Sequence, residues 1–312
     1  MYNFLKNNYI EDDEGVFKLH YTKKFLKWLF VYKGFEKDWK IVIRANTEKS
    51  NKIVGFISGT VVKLSINGQE KDVAEINFLC VHKKLRSKRM VPVLIREITR
   101  RMNKKGIYQG IYTAVKILPT PLTRTRYWHK LINYEKLKET RFTEREKPLV
   151  DNIKLINDEN FVELKEEYIE QACQILNDYL KKYVIHPIFD IDEFKFLFFG
   201  NDIVKSYVYL ENRKVVDFVS YYELNNLVTN NPKYDELKVA YLFYYSNKKL
   251  IENLLSRVKE NGYDVFNVLD VMENVYVVQD LGFSKGSGFL NYYLFNWRTI
   301  NIRKENVGVI LF

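Results

Sequence analysis

Residues 75–101 read EINFLCVHKKLRSKRMVPVLIREITRR, and three kinds of sequence follow one another within them. Residues 74–81 (AEINFLCV) are apolar apart from Glu75 and Asn77, as expected of a central strand. A basic turn holds Arg86, Ser87, Lys88 and Arg89. Between residues 91 and 103, Val91, Leu94, Ile95, Ile98 and Met102 recur at helical spacing, with Pro92 suited to the first turn and Gly106 to the close. A strand that turns into a helix points unpaired N–H groups and the positive end of a dipole at one spot, which favours phosphate. On the residues alone three readings stay open: an anionic ligand, a nucleic-acid surface, or a solvated basic face. Neither Gly-x-Gly nor GxxxxGK[ST] accompanies the turn, so a Rossmann dinucleotide site and a P-loop are disfavoured. A phosphate-rich cofactor such as coenzyme A fits better.

The charge of the whole chain supports that reading. Lys and Arg number 50 against 39 Asp and Glu, a net +11. Residues 83–105 hold ten basic residues and one acid, Glu97, so nine of the eleven excess charges sit around this one turn and helix. The apolar residues there are spaced for a helix core rather than for base stacking, so nucleic acid is not expected as a partner.

Outward from this segment the chain reads as two α/β halves. Its 312 residues, 46% hydrophobic and 15% aromatic, suffice for about two domains at roughly 150 residues each. Polar residues 143–160, with Pro148, separate them, placing the boundary near 150 (residues 1–150 and 151–312). Residues 52–66 (KIVGFISGTVVKLSI) read as a strand, residues 168–183 and 248–261 as helices, and residues 263–269 and 290–297 as strands. The stripe of the second helix is Leu250, Ile251, Leu254, Leu255 and Val258, and residues 284–288 (SKGSG) read as a turn. The chain finishes on VGVILF, an apolar run where termini normally fray, which points to a tail packed inside the fold. No apolar run reaches the roughly 18 residues of a membrane span, and MYNFLKNNYIEDDE lacks the order of a secretory signal, so a cytoplasmic protein without stable membrane insertion is expected. Cys80 and Cys173 are far apart, which excludes a disulfide framework and a CxxC pair. His20, His82, His129 and His186 are scattered without HExxH, so no metal is expected.

Residues 75–101 resemble the signature segment of the glycylpeptide N-tetradecanoyltransferases, or N-myristoyltransferases. Further matching blocks run in the family's order: NNYIEDDEGVFKLHY, IYTAVKILPTP, TRYWH, VVDFVSYY, VAYLFYY, DVFNVLDVMEN, GFSKGSGFLNYYLFNW and the closing VGVILF. Together they span essentially residues 1–312. The resemblance implies an α/β fold of two GNAT-like halves related by pseudo-twofold symmetry, one mainly for acyl-CoA and the other mainly for peptide. It implies transfer of myristoyl from myristoyl-CoA to the α-amino group of an N-terminal glycine, by a monomer with no permanently bound cofactor.

The resemblance also implies residue roles. The base is the C-terminal α-carboxylate, here on Phe312, where the family often ends in Leu or Gln. The backbone amides of Phe78 and Leu79 form the oxyanion hole. Phe78, Leu79, Cys80 and Val81 contact the acyl-CoA, and Arg86, Ser87, Lys88, Arg89, Met90 and Val91 bind its phosphate-bearing end. Tyr9, Asp12, Glu14, Phe17 and Tyr21 form the N-terminal peptide loop, whose acids attract basic substrate residues. Thr113 orients the glycine amine, Tyr127 and His129 line the groove, and Ser220, Tyr241 and Asp270 contact the peptide from the second half. Trp128, Phe266 and Tyr292 read as core. Two departures stand out: Met1 lies almost at the NNYIEDD block, where relatives carry an upstream segment over the CoA, and Val115 replaces the usual Gly, a change expected to narrow the glycine pocket or shift its backbone. The alternative they leave is a catalytically weak protein that binds acyl-CoA or glycyl-peptide.

Overall fold

The structure, a computed structural model, describes residues 1–10, 15–32, 34, 36–47, 50–144, 153–299 and 302–312. The elements up to residue 144 are α1 (Tyr2–Asn8), β1 (Phe17–His20), α2 (Lys23–Leu29), β2 (Ile41–Thr47), β3 (Ser50–Ile66), β4 (Gln69–Val81), α3 (Met90–Lys104), β5 (Gly110–Ala114), β6 (Thr123–Leu131) and α4 (Tyr134–Glu139). After residue 152 come β7 (Phe161–Glu163), α5 (Ile169–Leu180), β8 (Ile185–Pro187), α6 (Ile191–Phe198), β9 (Val204–Glu211) and β10 (Lys214–Glu223). They are followed by β11 (Asn225–Val228), β12 (Glu236–Leu237), β13 (Val239–Tyr245), α7 (Leu250–Glu260), β14 (Val265–Leu269), α8 (Asn274–Asp280) and β15 (Ser284–Phe295). The expected boundary at 150 lies outside the described residues.

Two copies of one pattern build the main sheet. In the first, β2, β3 and β4 are antiparallel neighbours, and β4 crosses through α3 to the parallel strand β5. In the second, β9, β10 and β13 are antiparallel neighbours, and β13 crosses through α7 to the parallel strand β14. Each copy has a tight two-residue hairpin with left-handed backbone, Asn67-Gly68 (φ 51° and 76°) and Asn212-Arg213 (φ 51° and 64°), as the twist of antiparallel strands demands. The strands that leave the copies are exchanged: β6 pairs with β14, and β15 pairs with β5. β6 and β15 then pair antiparallel with each other, joining both copies in one twelve-stranded sheet. A local twofold between β6 and β15 accounts for this order, and these are the two GNAT-like halves of an α/β fold.

Helical periodicity is borne out in burial, with one exception. α3 lays Leu94, Ile98 and Met102 on Trp39, Ile57 and Ala74. Ile95, expected in the same stripe, is 41% exposed, because it stands about 100° round the helix from Leu94. In α7 all five expected stripe residues are buried. Residues 284–288, expected as a turn, belong to β15 as an interruption of its pairing with β6 between Lys285 and Phe289. Gly286 sits there against the sheet: a Cβ would meet His129 Nε2 at 2.4 Å and the Tyr127 carbonyl oxygen at 2.6 Å.

Candidate functional site

The signature strand is bent at its middle. Phe56 pairs with Cys80 and Ser58 with Asn77, so Phe78 and Leu79 together oppose the single residue Ile57. Such a bulge frees backbone groups from the ladder and re-aims side chains. Phe78 takes a left-handed backbone (φ 56°), uncommon for a bulky residue and held here by packing. Its ring lies against Tyr9, Tyr21 and Phe30 at 5.6, 5.0 and 5.9 Å between centroids. Leu79 faces the other way, toward α3.

Beyond the bulge the basic stretch forms a 3-10 helix, Lys83–Lys88, and Arg89 (φ 54°, ψ 33°) turns the chain left-handed into α3. The first turn of α3 carries no acid, and Ser87, Lys88 and Arg89 are exposed around it. Arg86 instead holds α1, donating from Nη2 to the Asn8 carbonyl oxygen at 2.9 Å. The pairing of β4 with β5 involves only Ala74 and Glu75, so the strands are unpaired past Glu75 on the side where β4 meets the basic turn. A helix start without acids beside exposed basic side chains is an arrangement suited to an anion. Burial pushes the Cys80 thiol up to about 12, so it is a packing group rather than a thiolate.

The residues assigned to peptide fall into two sets. Tyr9, Tyr21, Tyr127 and Tyr241 converge: Tyr9 is 5.7 Å from Tyr21 and Tyr127 is 6.2 Å from Tyr241. Burial raises all four phenols, Tyr241 to about 12, so each stays protonated as a hydrogen-bonding group. His129 joins them on β6, its Nδ1 2.6 Å from Asn267 Oδ1 and its ring edge-on to Phe142, which also packs on Phe17. Thr113 lies on β5 opposite Tyr292 of β15. Ser220 and Asp270 stand apart, both buried and engaged. The Ser220 hydroxyl donates to the Tyr244 carbonyl and accepts the Tyr244 N–H. Asp270 accepts from the Arg126 N–H, the Trp128 indole and Lys304 Nζ. Asp12 and Glu14 lie outside the described residues.

The tail is inside, as its apolar run implies. Val307, Val309, Ile310 and Leu311 are buried. Gly308 donates to the Ile185 carbonyl, and a Cβ on it would meet Tyr183 at 2.8 Å. Tyr292 OH donates to the Val309 carbonyl at 3.0 Å, and the Ile310 N–H donates to Tyr244 OH at 2.9 Å. Ring contacts then link Phe312 to Phe25, Phe25 to Tyr21 and Tyr21 to Phe78, so tail and bulge belong to one aromatic cluster. Val115 is 57% exposed, and its carbonyl accepts from Asn291 Nδ2.

A second group was not foreseen. Glu75, Glu193, Tyr32 and Thr60 line a cavity behind the tail, with Tyr244 and residues 309–312 as one wall. Burial pushes both carboxyls up to about 7. Glu75 accepts from Asn77 Nδ2 at 2.7 Å, and Glu193 accepts from Tyr32 OH. Glu75 was visible as a polar interruption of an apolar strand; Glu193, on a polar helix start, carried no signal.

Comparison with known proteins agrees along the whole length. The family profile described as "Myristoyl-CoA:protein N-myristoyltransferase, N-terminal domain" matches residues 1–125, and the C-terminal domain profile matches residues 132–310. The glycylpeptide N-tetradecanoyltransferase of Plasmodium falciparum is 40% identical over 100% of this chain and 79% of its own. That of Drosophila melanogaster is 38% identical over 100% of this chain and 69% of its own. The crystal structure of Saccharomyces cerevisiae N-myristoyltransferase with bound myristoyl-CoA superposes with a TM-score of 0.93 at 34% identity, over 100% of this chain and 85% of that one.

Proposed function

The chain belongs to the myristoyl-CoA:protein N-myristoyltransferase family, and from that premise we propose how its own residues carry the reaction. The activity is transfer of the tetradecanoyl group from myristoyl-CoA, a substrate rather than a resident cofactor, to the amine of an N-terminal glycine.

Residues 1–150 serve mainly the donor and residues 151–312 mainly the peptide. Ser87, Lys88 and Arg89 hold the CoA phosphates with the N–H groups of Met90 and Val91 at the start of α3, while Arg86 braces the turn against α1. Cys80 and Val81 flank the thioester end. The glycine amine enters beside Thr113, with its chain along Tyr9, Phe17, Tyr21, Tyr127, His129 and Tyr241. Asp12 and Glu14 attract basic residues further along the substrate, and Ser220 and Asp270 support the groove from behind. An α-amino group has a pKa of about 7.7–8.0, so much of it is protonated at neutral pH and a base is needed. The Phe312 α-carboxylate takes that proton. The amine nitrogen then attacks the thioester carbon and the carbonyl oxygen becomes an oxyanion on the Phe78 and Leu79 amides. As the carbonyl re-forms the C–S bond breaks, and the second proton leaving the nitrogen goes to the departing sulfur, so that CoA is released as its thiol. The protein acts as a monomer in the cytoplasm.

The observation that carries this reading is the buried tail sharing one ring cluster with the strand bulge. Mass spectrometry of a Gly-initiated peptide after incubation with mixed acyl-CoAs tests it. Tetradecanoyl addition is expected, and its loss when a glycine is added after Phe312 while acyl-CoA still binds. Turnover that survives the added residue overturns the carboxylate's role.

A further inference from the structure

The tail has a second kind of anchor, beyond its hydrogen bonds. Among the described residues the last of those bonds falls on Ile310, so the final two residues are held by side-chain packing alone. Leu311 is buried in the apolar core. The Phe312 ring meets four other rings: Phe25 at 5.6 Å and 84°, Trp28 at 5.5 Å and 83°, Tyr222 at 5.2 Å and 80°, and Phe243 at 5.1 Å and 40°. Three of these are edge-to-face, the orientation aromatic quadrupoles favour.

We propose that Phe25, Trp28, Tyr222 and Phe243 form an aromatic box that grips the Phe312 ring and thereby fixes the reach of the terminal carboxylate. The inference rests on the reading of that carboxylate as the base and deepens it: the last side chain is a positioning group. On that reading the carboxylate stands on a terminal residue, and termini ordinarily fray. A base must nevertheless stand within hydrogen-bond reach of the amine, directly or through one water. Among the described residues, the contacts that hold Phe312 are those of its ring. A Phe side chain has just two rotatable bonds, so gripping the ring limits where its Cα and the carboxylate attached to it can go.

The walls of the box are themselves fixed. Trp28 stacks on Phe196 at 5.6 Å and 2°, and its indole N–H donates to the Phe196 carbonyl. Phe25 is edge-on to Tyr21, and its N–H is bonded by the Thr22 hydroxyl that caps α2. Tyr222 stacks on Tyr241 at 5.1 Å, so one wall is shared with the peptide groove. Three elements, α2, β10 and β13, thus converge on one ring, as a preorganised site requires. A leucine or glutamine there would keep the carboxylate but lose every edge-to-face contact.

The test uses the full-length enzyme with Phe312→Ala, Phe312→Tyr, Trp28→Leu and a glycine added after Phe312. Misplacing a reacting group by about 1 Å costs on the order of 10²-fold in rate, so Phe312→Ala lowers kcat by about that factor. Acyl-CoA KM stays at the parent value, while the unfolding temperature falls with the lost ring contacts. The deficit shrinks as pH rises past the amine pKa of about 7.7–8.0, because a neutral amine needs no base. Trp28→Leu shows a smaller loss with the same pH dependence, and Phe312→Tyr restores most of the turnover. Parent kcat in Phe312→Ala, or a deficit in Phe312→Ala or Trp28→Leu that ignores pH, overturns the box. If Phe312→Ala turns over normally while the glycine extension is inactive, the box fails and the base survives. If the extension is active, the base itself fails and the inference with it.

Discussion

The two crossover units of the sheet, β4–α3–β5 and β13–α7–β14, are bent at the same place and differ in what fills the bend. In β4, Phe78 and Leu79 oppose Ile57; in β13, Phe243 and Tyr244 oppose Ser220, as the jump from Val219–Tyr245 to Tyr221–Leu242 pairing shows. Ser220 is polar and closes its bulge, accepting the Tyr244 N–H at 3.1 Å and donating to the Tyr244 carbonyl at 2.9 Å. Ile57 is aliphatic and has no polar group to offer Leu79. The turns that follow repeat the contrast. After β13, Ser246 Oγ and Asn247 Nδ2 are bonded to the Asp217 carboxylate, an anion supplied by the chain itself. After β4, Lys88 and Arg89 stand exposed with no acid in the first turn of the helix. The second bulge is closed by the side chain opposite it, whereas in the first the Phe78 backbone is bonded to the Tyr9 phenol from α1's end and the basic turn beyond stands exposed.

The sharpest way to break this comparison is to make the first bulge like the second. Ile57→Ser places a hydroxyl where Ser220 stands in its own unit, able to accept the Leu79 N–H. If the Phe78 and Leu79 amides receive the oxyanion, occupying one of them lowers kcat by about 10²–10³-fold, the usual loss when one such donor is removed. Steady-state kinetics should show acyl-CoA KM little changed. A variant that folds and keeps parent kcat would place the oxyanion elsewhere.

The strands differ in a second respect. Every residue of β13 is buried and mostly apolar, whereas β4 carries Glu75 and Asn77 on its inner side. Burial pushes the Glu75 carboxyl up to about 7, against about 4.3 in an unfolded chain. Between those values the native state holds a proton that the unfolded state has released, so stability falls as pH rises through that window. Glu75→Gln keeps the acceptor for Asn77 without the charge. Denaturant unfolding should find the variant more stable by up to about 3 kcal/mol near pH 8, with the gap closing near pH 4.5. Equal stability at both pH values would mean that Glu75 is ionised at little cost in the folded protein.

What could be read from the sequence followed the range of the interaction that decides each feature. Helices were legible because burial repeats along the chain itself, as in Leu250, Ile251, Leu254, Leu255 and Val258. The tail was legible because six residues of VGVILF leave an apolar end that water disfavours, so the fold must cover it. The exchange of β6 and β15 was not, since strand order depends on partners more than a hundred residues away. Residues 284–288 show the same limit: small residues signal a turn locally, but Gly286 is small because His129 and Tyr127 press on it. Of the residues proposed for the site, Arg89 and Phe312 stand out in local pattern, one in a basic turn and the other at the close of an apolar run. The closure of one bulge by Ser220, against Ile57 in the other, becomes visible only when the two units are laid against each other.

Ser220 therefore offers the mildest test of the comparison, with the opposite sign of interest to Ile57. Its hydroxyl is fully buried and serves both polar groups of Tyr244. Ser220→Ala leaves a buried N–H and carbonyl without that partner, which costs about 1–3 kcal/mol. Urea unfolding should register that loss. Because this bulge holds no reacting atom, kcat should stay near the parent value. Tyr244 also carries the tail through Ile310, so a kcat loss in Ser220→Ala that is relieved at high pH would mean that the second bulge sets the position of the base. Loss of stability without loss of rate would instead leave the second bulge as a closure that supports the sheet.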